Sequence, residues 1–194
     1  LGLPVGDPGN ATLSLDGMLS EAAIDALAAE IDPKRAGTLI QPRTEALHKD
    51  TVYITVVDGD GLCVSLIYSI FWPYGSGFAS ERFGIGLQNR GAGFTLEEGH
   101  VNELRGGKRP LHTLIPGLLE KPGEYAMPFG VMGGAYQATG HGHFVSNLVD
   151  YGMDIQAAID APRSFLDITS GMLDLEQGFD DSVAARLAEM GYKV

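Results

Sequence analysis

A single cysteine, Cys63, in 194 residues leaves nothing for an internal disulfide, so no feature of the chain points to an oxidising compartment and the reading leans towards the cytoplasm. Cys63 lies in an apolar run and reads as a small buried hydrophobe. Basic residues are scarce. With 13 Lys and Arg against 25 Asp and Glu, and a formal charge of -12, the surface would repel a phosphate backbone, which excludes nucleic acid as a partner. No apolar stretch approaches the roughly 20 residues that cross a bilayer, so no membrane partner is expected. The opening LGLPVGDPGN lacks the basic-then-apolar layout of a secretory leader, but a chain that starts on Leu1 reads as a fragment and says nothing of its precursor. Internal repeats and low-complexity tracts are missing too. His141 and His143 in GHGH have no third ligand at a supportive spacing, so no metal and no other cofactor is expected, and solvent or subunit contacts are the expectation for both.

What is present is a hydrophobic fraction of 44%, enough for one substantial core or for part of a larger one. Glycine is abundant, 27 residues, and falls in short clusters, which favours a site built on loops. Ser20 can cap a helix in which Ala23, Ile24, Leu27, Ala28 and Ile31 recur at helical spacing until Asp32 and Pro33 stop it. From 37 to 50 periodicity is lost, and the segment reads as an exposed linker that is easily cut. Residues 51–57 and 62–71 are then dense in β-branched and aromatic residues around a GDG turn, which predicts adjacent antiparallel strands. Both are apolar at nearly every position, the pattern of central strands covered on both faces. Further strands are expected at 85–89 and 127–132. Helices are expected at 144–151 and 155–161, ended by Gly152 and Pro162, and a last one at 181–190, capped by Asp180 and ended by Gly191.

The sharpest local feature is a hydroxyl residue, Thr51, opening a buried strand directly after the charged linker that ends at Asp50. If the bond between Asp50 and Thr51 were cut, Thr51 would own both a hydroxyl nucleophile and a free α-amine. The unperturbed pKa of such an amine, about 7.7 to 8.0, suits a general base near neutrality.

Several motifs give this position a context. DTVYITVVDGDG at 50–61, YGSG at 74–77, GKRPLHTLIP at 107–116, GVMGGAYQ at 130–137 and DYGMDIQAAIDAPR at 150–163 occur in the order of the gamma-glutamyltransferase family, which the chain resembles over roughly 20–194. The QNRG at 88–91 resembles the branch of amidohydrolases and acylases within it rather than the true transpeptidases. The resemblance implies an α+β fold, the four-layer αββα sandwich of N-terminal-nucleophile hydrolases, incomplete in this chain. It implies a precursor that cleaves itself before Thr51. Residues 1–50 would then be the end of the large subunit with its cleavage linker, and 51–194 the small catalytic subunit without its last strands. Most of the large subunit would precede Leu1 and act as the partner of this chain, and assembly into a higher oligomer is left open.

The same resemblance gives Gly133 and Gly134 the role of oxyanion donors through their backbone N–H groups. Ser69 stands where the family has a threonine whose hydroxyl lies against the nucleophile and its amine, a hydrogen-bonding capacity that serine preserves. Thr55, four residues beyond Thr51, reads as packing. The substrate positions differ from those of true gamma-glutamyltransferases: Phe71 replaces an asparagine, Arg90 a glutamine, Gly93 an aspartate, and His112 with Thr113 a serine pair. No acid remains to meet the α-ammonium of a glutamyl group. Arg90 offers a fixed fork that suits a carboxylate or, equally, an acid of the protein itself. His112 is expected to contact substrate or line the pocket. Lys108 and Arg109 are expected to pair with acids or frame that pocket. The expected activity is amide hydrolysis through an acyl-enzyme on a small anionic amide. The alternatives are a true gamma-glutamyltransferase or glutathione hydrolase, and an inactive member kept as a binding domain.

Overall fold

The computed structural model of the chain describes residues 6, 7, 9, 14–37, 50–167 and 170–194. In chain order these form α1 (Leu15–Met18), α2 (Glu21–Ala29), β1 (Asp50–Val57), β2 (Cys63–Phe71), a 3-10 turn at Arg90–Gly93, β3 (Gly117–Lys121), β4 (Tyr125–Phe129), α3 (Tyr136–Val149), α4 (Ile155–Asp160), β5 (Ser164–Leu166), β6 (Leu173–Leu175) and α5 (Asp181–Glu189). The strands pair as antiparallel two-stranded sheets, β1 with β2, β3 with β4 and β5 with β6, giving a mixed α and β chain. Two compact units result. One comprises Leu1–Thr44, Gly93–Leu111 and Ala161–Val194, the other Glu45–Ala92 and His112–Asp160. The expected linker at 37–50 lies, apart from its two ends, outside the described residues.

The first unit carries α2 and α5, whose starts follow the capping logic of the sequence. Ser20 Oγ accepts the N–H of Ala23 at 3.2 Å, and Asp180 Oδ1 accepts that of Ser182 at 2.8 Å. The chain leaves α5 through Gly191 at φ +101°, a conformation that glycine adopts without a Cβ penalty. The GKRP cations are structural here. Buried Asp7 accepts the backbone N–H of Arg109 at 3.0 Å and its guanidinium at 2.9 Å, and these bonds hold the Asp7 carboxyl down at about 2. Lys108 Nζ donates to the carbonyl of Glu103 at 3.2 Å.

The second unit is built on the β1–β2 hairpin. Its turn is closed by Asp58, whose Oδ1 accepts the N–H groups of Asp60 and Leu62 at 3.0 and 2.9 Å, with Gly61 at φ +86°. One face of the hairpin is covered: Ile67 is buried, and the Tyr53 ring lies on Gly130, where a β-carbon would come within 2.4 Å of it. Tyr53 and Ser65 share a hydroxyl bond of 2.9 Å, and Ser65 Oγ donates to the Gly117 carbonyl at 2.9 Å, which ties the hairpin to β3. Behind β4, Phe129 meets His141 and Phe144 of α3 at ring separations of 4.8 and 5.4 Å. The other face is open. Cross-strand pairs Val52 with Tyr68, Ile54 with Leu66 and Val56 with Val64 are all exposed, so within this chain the strands have cover on one side where the sequence pattern predicts two.

Some expected elements fall elsewhere. Residues 85–89 form no regular strand. They bond instead to the loop before them, Leu87 donating to the Phe78 carbonyl and accepting from Ser76 at 2.8 Å each, while Gly75, Gly77 and Gly84 at positive φ prevent a straight ladder. The strand expected at 127–132 begins and ends earlier, as β4, and its partner β3 has no counterpart in the expectations. The helix expected from 144 begins at Tyr136, where the N–H groups of Tyr136 and Gln137 bond back to the carbonyls of Gly133 and Gly134, and its Gly140 lies where a β-carbon would sit 2.7 Å from both Tyr136 and Val131. Cys63 is half-buried rather than buried.

Candidate active site

Asp50, Thr51, Ser69, Phe71, Arg90, His112, Thr113, Gly133 and Gly134 all lie in the second unit, while Gly93, Lys108 and Arg109 belong to the first. Thr51 is the second residue of β1, directly opposite Ser69 of β2, and Asp50 stands opposite Phe71. The register shifts between Asp50 and Thr51, where Ile70 of β2 has no counterpart on β1, so the bond expected to break lies opposite an irregularity in the ladder. Thr51 and Ser69 are half-buried, whereas Thr55 is exposed. Ser69 Oγ accepts the N–H of Phe71 at 3.1 Å, which leaves its own proton to donate elsewhere.

Beyond β2 the backbone turns sharply at Phe71, whose φ of +79° lies in the left-handed region that bulky residues rarely enter. The loop that follows folds back and brings Arg90 over the Phe71 ring, with Cζ 4.7 Å from the ring centre. Arg90 is 5% exposed. Its Nη1 donates to Thr113 Oγ1 at 3.2 Å, and its buried Nη2 has no hydrogen-bond partner among the described residues. Among the described residues no acid forms an ion pair with this guanidinium. Burial lowers its pKa, yet an arginine stays charged throughout the accessible range. His112, exposed beside Thr113, is held below the usual imidazole value by partial loss of solvent and then by repulsion from Arg90.

The glycine pair ends the loop after β4. Gly133 and Gly134 adopt φ of +127° and +59°, and their carbonyls accept from Tyr136 and Gln137 at 3.1 Å each, which starts the 14-residue helix α3. The turn therefore sits at the positive end of a helix dipole, where backbone N–H groups favour negative charge. Two supporting residues escaped the sequence reading. Gln137 is fully buried, and its Oε1 accepts the N–H of Ile115 at 3.2 Å, anchoring the segment that carries His112 and Thr113 to the first turn of α3. His141, half-buried, has a structural bond as well: its Nε2 accepts the Val131 N–H at 3.3 Å, fixing the segment that leads into the glycine pair, and burial lowers its pKa. For the first, the only sequence signal was its place at the end of the GVMGGAYQ motif; for the second, the paired histidines of GHGH pointed elsewhere.

A strand-borne hydroxyl, a buried guanidinium without an acid partner and a diglycine turn at a helix start are groups that acyl-transfer chemistry can use. The chain belongs to the gamma-glutamyltranspeptidase family, which residues 3–194 match. It is 36% identical to the glutathione hydrolase-like YwrD proenzyme of Bacillus subtilis and 35% identical to the oxamate amidohydrolase proenzyme of Klebsiella pneumoniae, each over 97% of this chain and 36% of the relative. Among solved structures it superposes on the cephalosporin acylase from Bacillus halodurans with a TM-score of 0.82 at 35% identity, over 97% of this chain and 34% of that one. The chain thus spans about a third of the length of these relatives. Among the described residues, no helix is long and apolar enough to cross a membrane.

Proposed function

We propose that this chain is the catalytic portion of a self-cleaving N-terminal-threonine amide hydrolase acting on small amides that carry a carboxylate. In maturation, Thr51 Oγ1 attacks the Asp50 carbonyl carbon. As the peptide C–N bond breaks, the Thr51 hydroxyl proton passes to the leaving nitrogen, which becomes the free α-amine, and water then opens the resulting ester, restoring the Thr51 hydroxyl and leaving Asp50 with a carboxylate. In turnover the same oxygen attacks the substrate carbonyl, passing its proton to the Thr51 α-amine, which returns it to the departing amine. Water then hydrolyses the acyl ester. Gly133 and Gly134 N–H groups would receive the negative charge of each tetrahedral intermediate, and the Ser69 hydroxyl would orient the nucleophile.

The observation that carries the substrate class is Arg90, buried, charged and with an unpartnered Nη2. Its Thr113 contact fixes the fork, and the imidazolium form of His112 is disfavoured beside it, so the positive charge there is that of Arg90. The relative named for oxamate, itself an amide bearing a carboxylate, agrees with this class. The remaining two thirds of the relatives' length would supply a large subunit and the missing layers of an αββα sandwich, with its cover for the open face of β1 and β2. The test is turnover by the full-length precursor product of carboxylate-bearing amides such as oxamate and succinamate beside a gamma-glutamyl anilide. The proposal expects the first group to be hydrolysed at least about tenfold more efficiently, the effect of one charged contact. Preference for the anilide would return the protein to the glutathione hydrolases, and no turnover of either would favour a binding domain.

A further inference from the structure

The turn that ends β2 is held in a conformation its sequence disfavours, and the bonds that hold it come from the segment that delivers Arg90. Phe71 stands at φ +79°, where a β-carbon and a large ring are rarely found outside functional sites. Its own N–H is bound by Ser69 Oγ at 3.1 Å. On either side of it Asn89 closes a clamp: the Asn89 N–H donates to the Ile70 carbonyl at 3.2 Å, and Asn89 Oδ1 accepts the Trp72 N–H at 3.1 Å. Asn89 then starts the 3-10 turn, its carbonyl accepting from Ala92 at 3.0 Å, so the residue that locks Phe71 also aims the next residue, Arg90.

The consequence lies in what the ring does for the guanidinium. A buried arginine is ordinarily held by a carboxylate, which cancels its charge. Here an aromatic face holds it at 4.7 Å, an attraction that orients the plane without neutralising it, and a neutral hydroxyl, Thr113, takes one nitrogen at 3.2 Å. The charge is left for a ligand.

We propose that Phe71 and Asn89 are positioning residues, Asn89 locking the left-handed turn and the Phe71 ring serving as the floor on which Arg90 is presented, uncompensated, to the carboxylate of the substrate. This rests on the reading of Arg90 as the carboxylate site, and it assigns Phe71 a role through Arg90 rather than direct contact with substrate.

The test is the ratio of kcat/KM for oxamate to that for oxamide, its uncharged counterpart, measured on the matured full-length protein and repeated with the succinamate and succinamide pair. Loosening of the site in general slows both members of a pair and leaves the ratio where it was. Phe71→Leu and Asn89→Ala are expected to lower the ratio about 3- to 30-fold, mostly through KM for the charged member, while Phe71→Tyr, which keeps the ring, stays within about threefold of wild type. Should one variant fail to mature, the other still decides. If Arg90→Gln collapses the ratio but Phe71→Leu and Asn89→Ala do not, the positioning role is wrong and the carboxylate site stands. If wild type shows no preference for the charged members, or Arg90→Gln leaves the preference intact, the carboxylate site falls and the positioning role with it.

Discussion

Arg90 sets the electrostatics of its surroundings, and His112 reports them. Partial loss of solvent and the neighbouring guanidinium both disfavour the imidazolium, so the folded chain refuses a proton that the unfolded chain accepts at the ordinary value near 6.5. Between the lowered value and 6.5 the unfolded state binds more protons, and folding stability therefore falls as pH drops through that window. A histidine NMR titration is expected to give a His112 midpoint below 6.5, and Arg90→Gln should raise it, because the repulsion of the positive neighbour is removed. A midpoint that Arg90→Gln does not move would separate the two residues. Much of this was legible in the sequence at the level of residue type: a forked cation and a histidine where true transpeptidases carry other groups. The Phe71 floor and the Asn89 clamp were not, because a left-handed backbone at an aromatic residue has no sequence signature and is imposed by bonds formed between distant segments.

At the scale of elements, the unit that carries the site is joined by close approaches that only glycine permits. Gly130 lies against the Tyr53 ring with no room for a β-carbon, which sets the strand of Thr51 against the loop that leads to Gly133 and Gly134. Gly130→Ala is expected to destabilise the full-length protein by about 1 to 3 kcal/mol, as overpacking does. Gly142 in α3 has open space around its Cα, and Gly142→Ala should instead stabilise by about 0.5 to 1 kcal/mol through helix propensity. Denaturant unfolding of the two variants checks the opposite signs, and equal effects would show that Gly130 is not at a contact. The capped helices α2 and α5 and the β1–β2 hairpin follow directly from Ser20, Asp180 and the Asp58 turn, whose chemistry is local. The start of α3 and the irregular course of 85–89 do not, since α3 opens on the carbonyls of Gly133 and Gly134, Gly75 lies against the backbone of Leu87, and periodicity in both stretches is diluted by glycine.

At the scale of the whole molecule, the exposed apolar pairs on β1 and β2 belong with the chain's length, about a third of its relatives. A sheet face of valine, isoleucine, leucine and tyrosine is not a stable boundary with water, and under the proposed function the rest of the precursor would cover it. Ile54→Lys in the full-length precursor would then bury an unpaired ammonium, a penalty of several kcal/mol that should lower the melting temperature and halt self-cleavage, while Ile54→Leu leaves both near wild type. Normal maturation of Ile54→Lys would mean the face stays open. Beneath all of these lies the claim that Thr51 becomes a chain terminus. Intact-mass and N-terminal analysis of the full-length precursor addresses it most directly. The account predicts a chain beginning at Thr51 in the wild type and an uncut precursor in Thr51→Ala; a wild-type protein that stays whole, or a cut that survives the substitution, would contradict it.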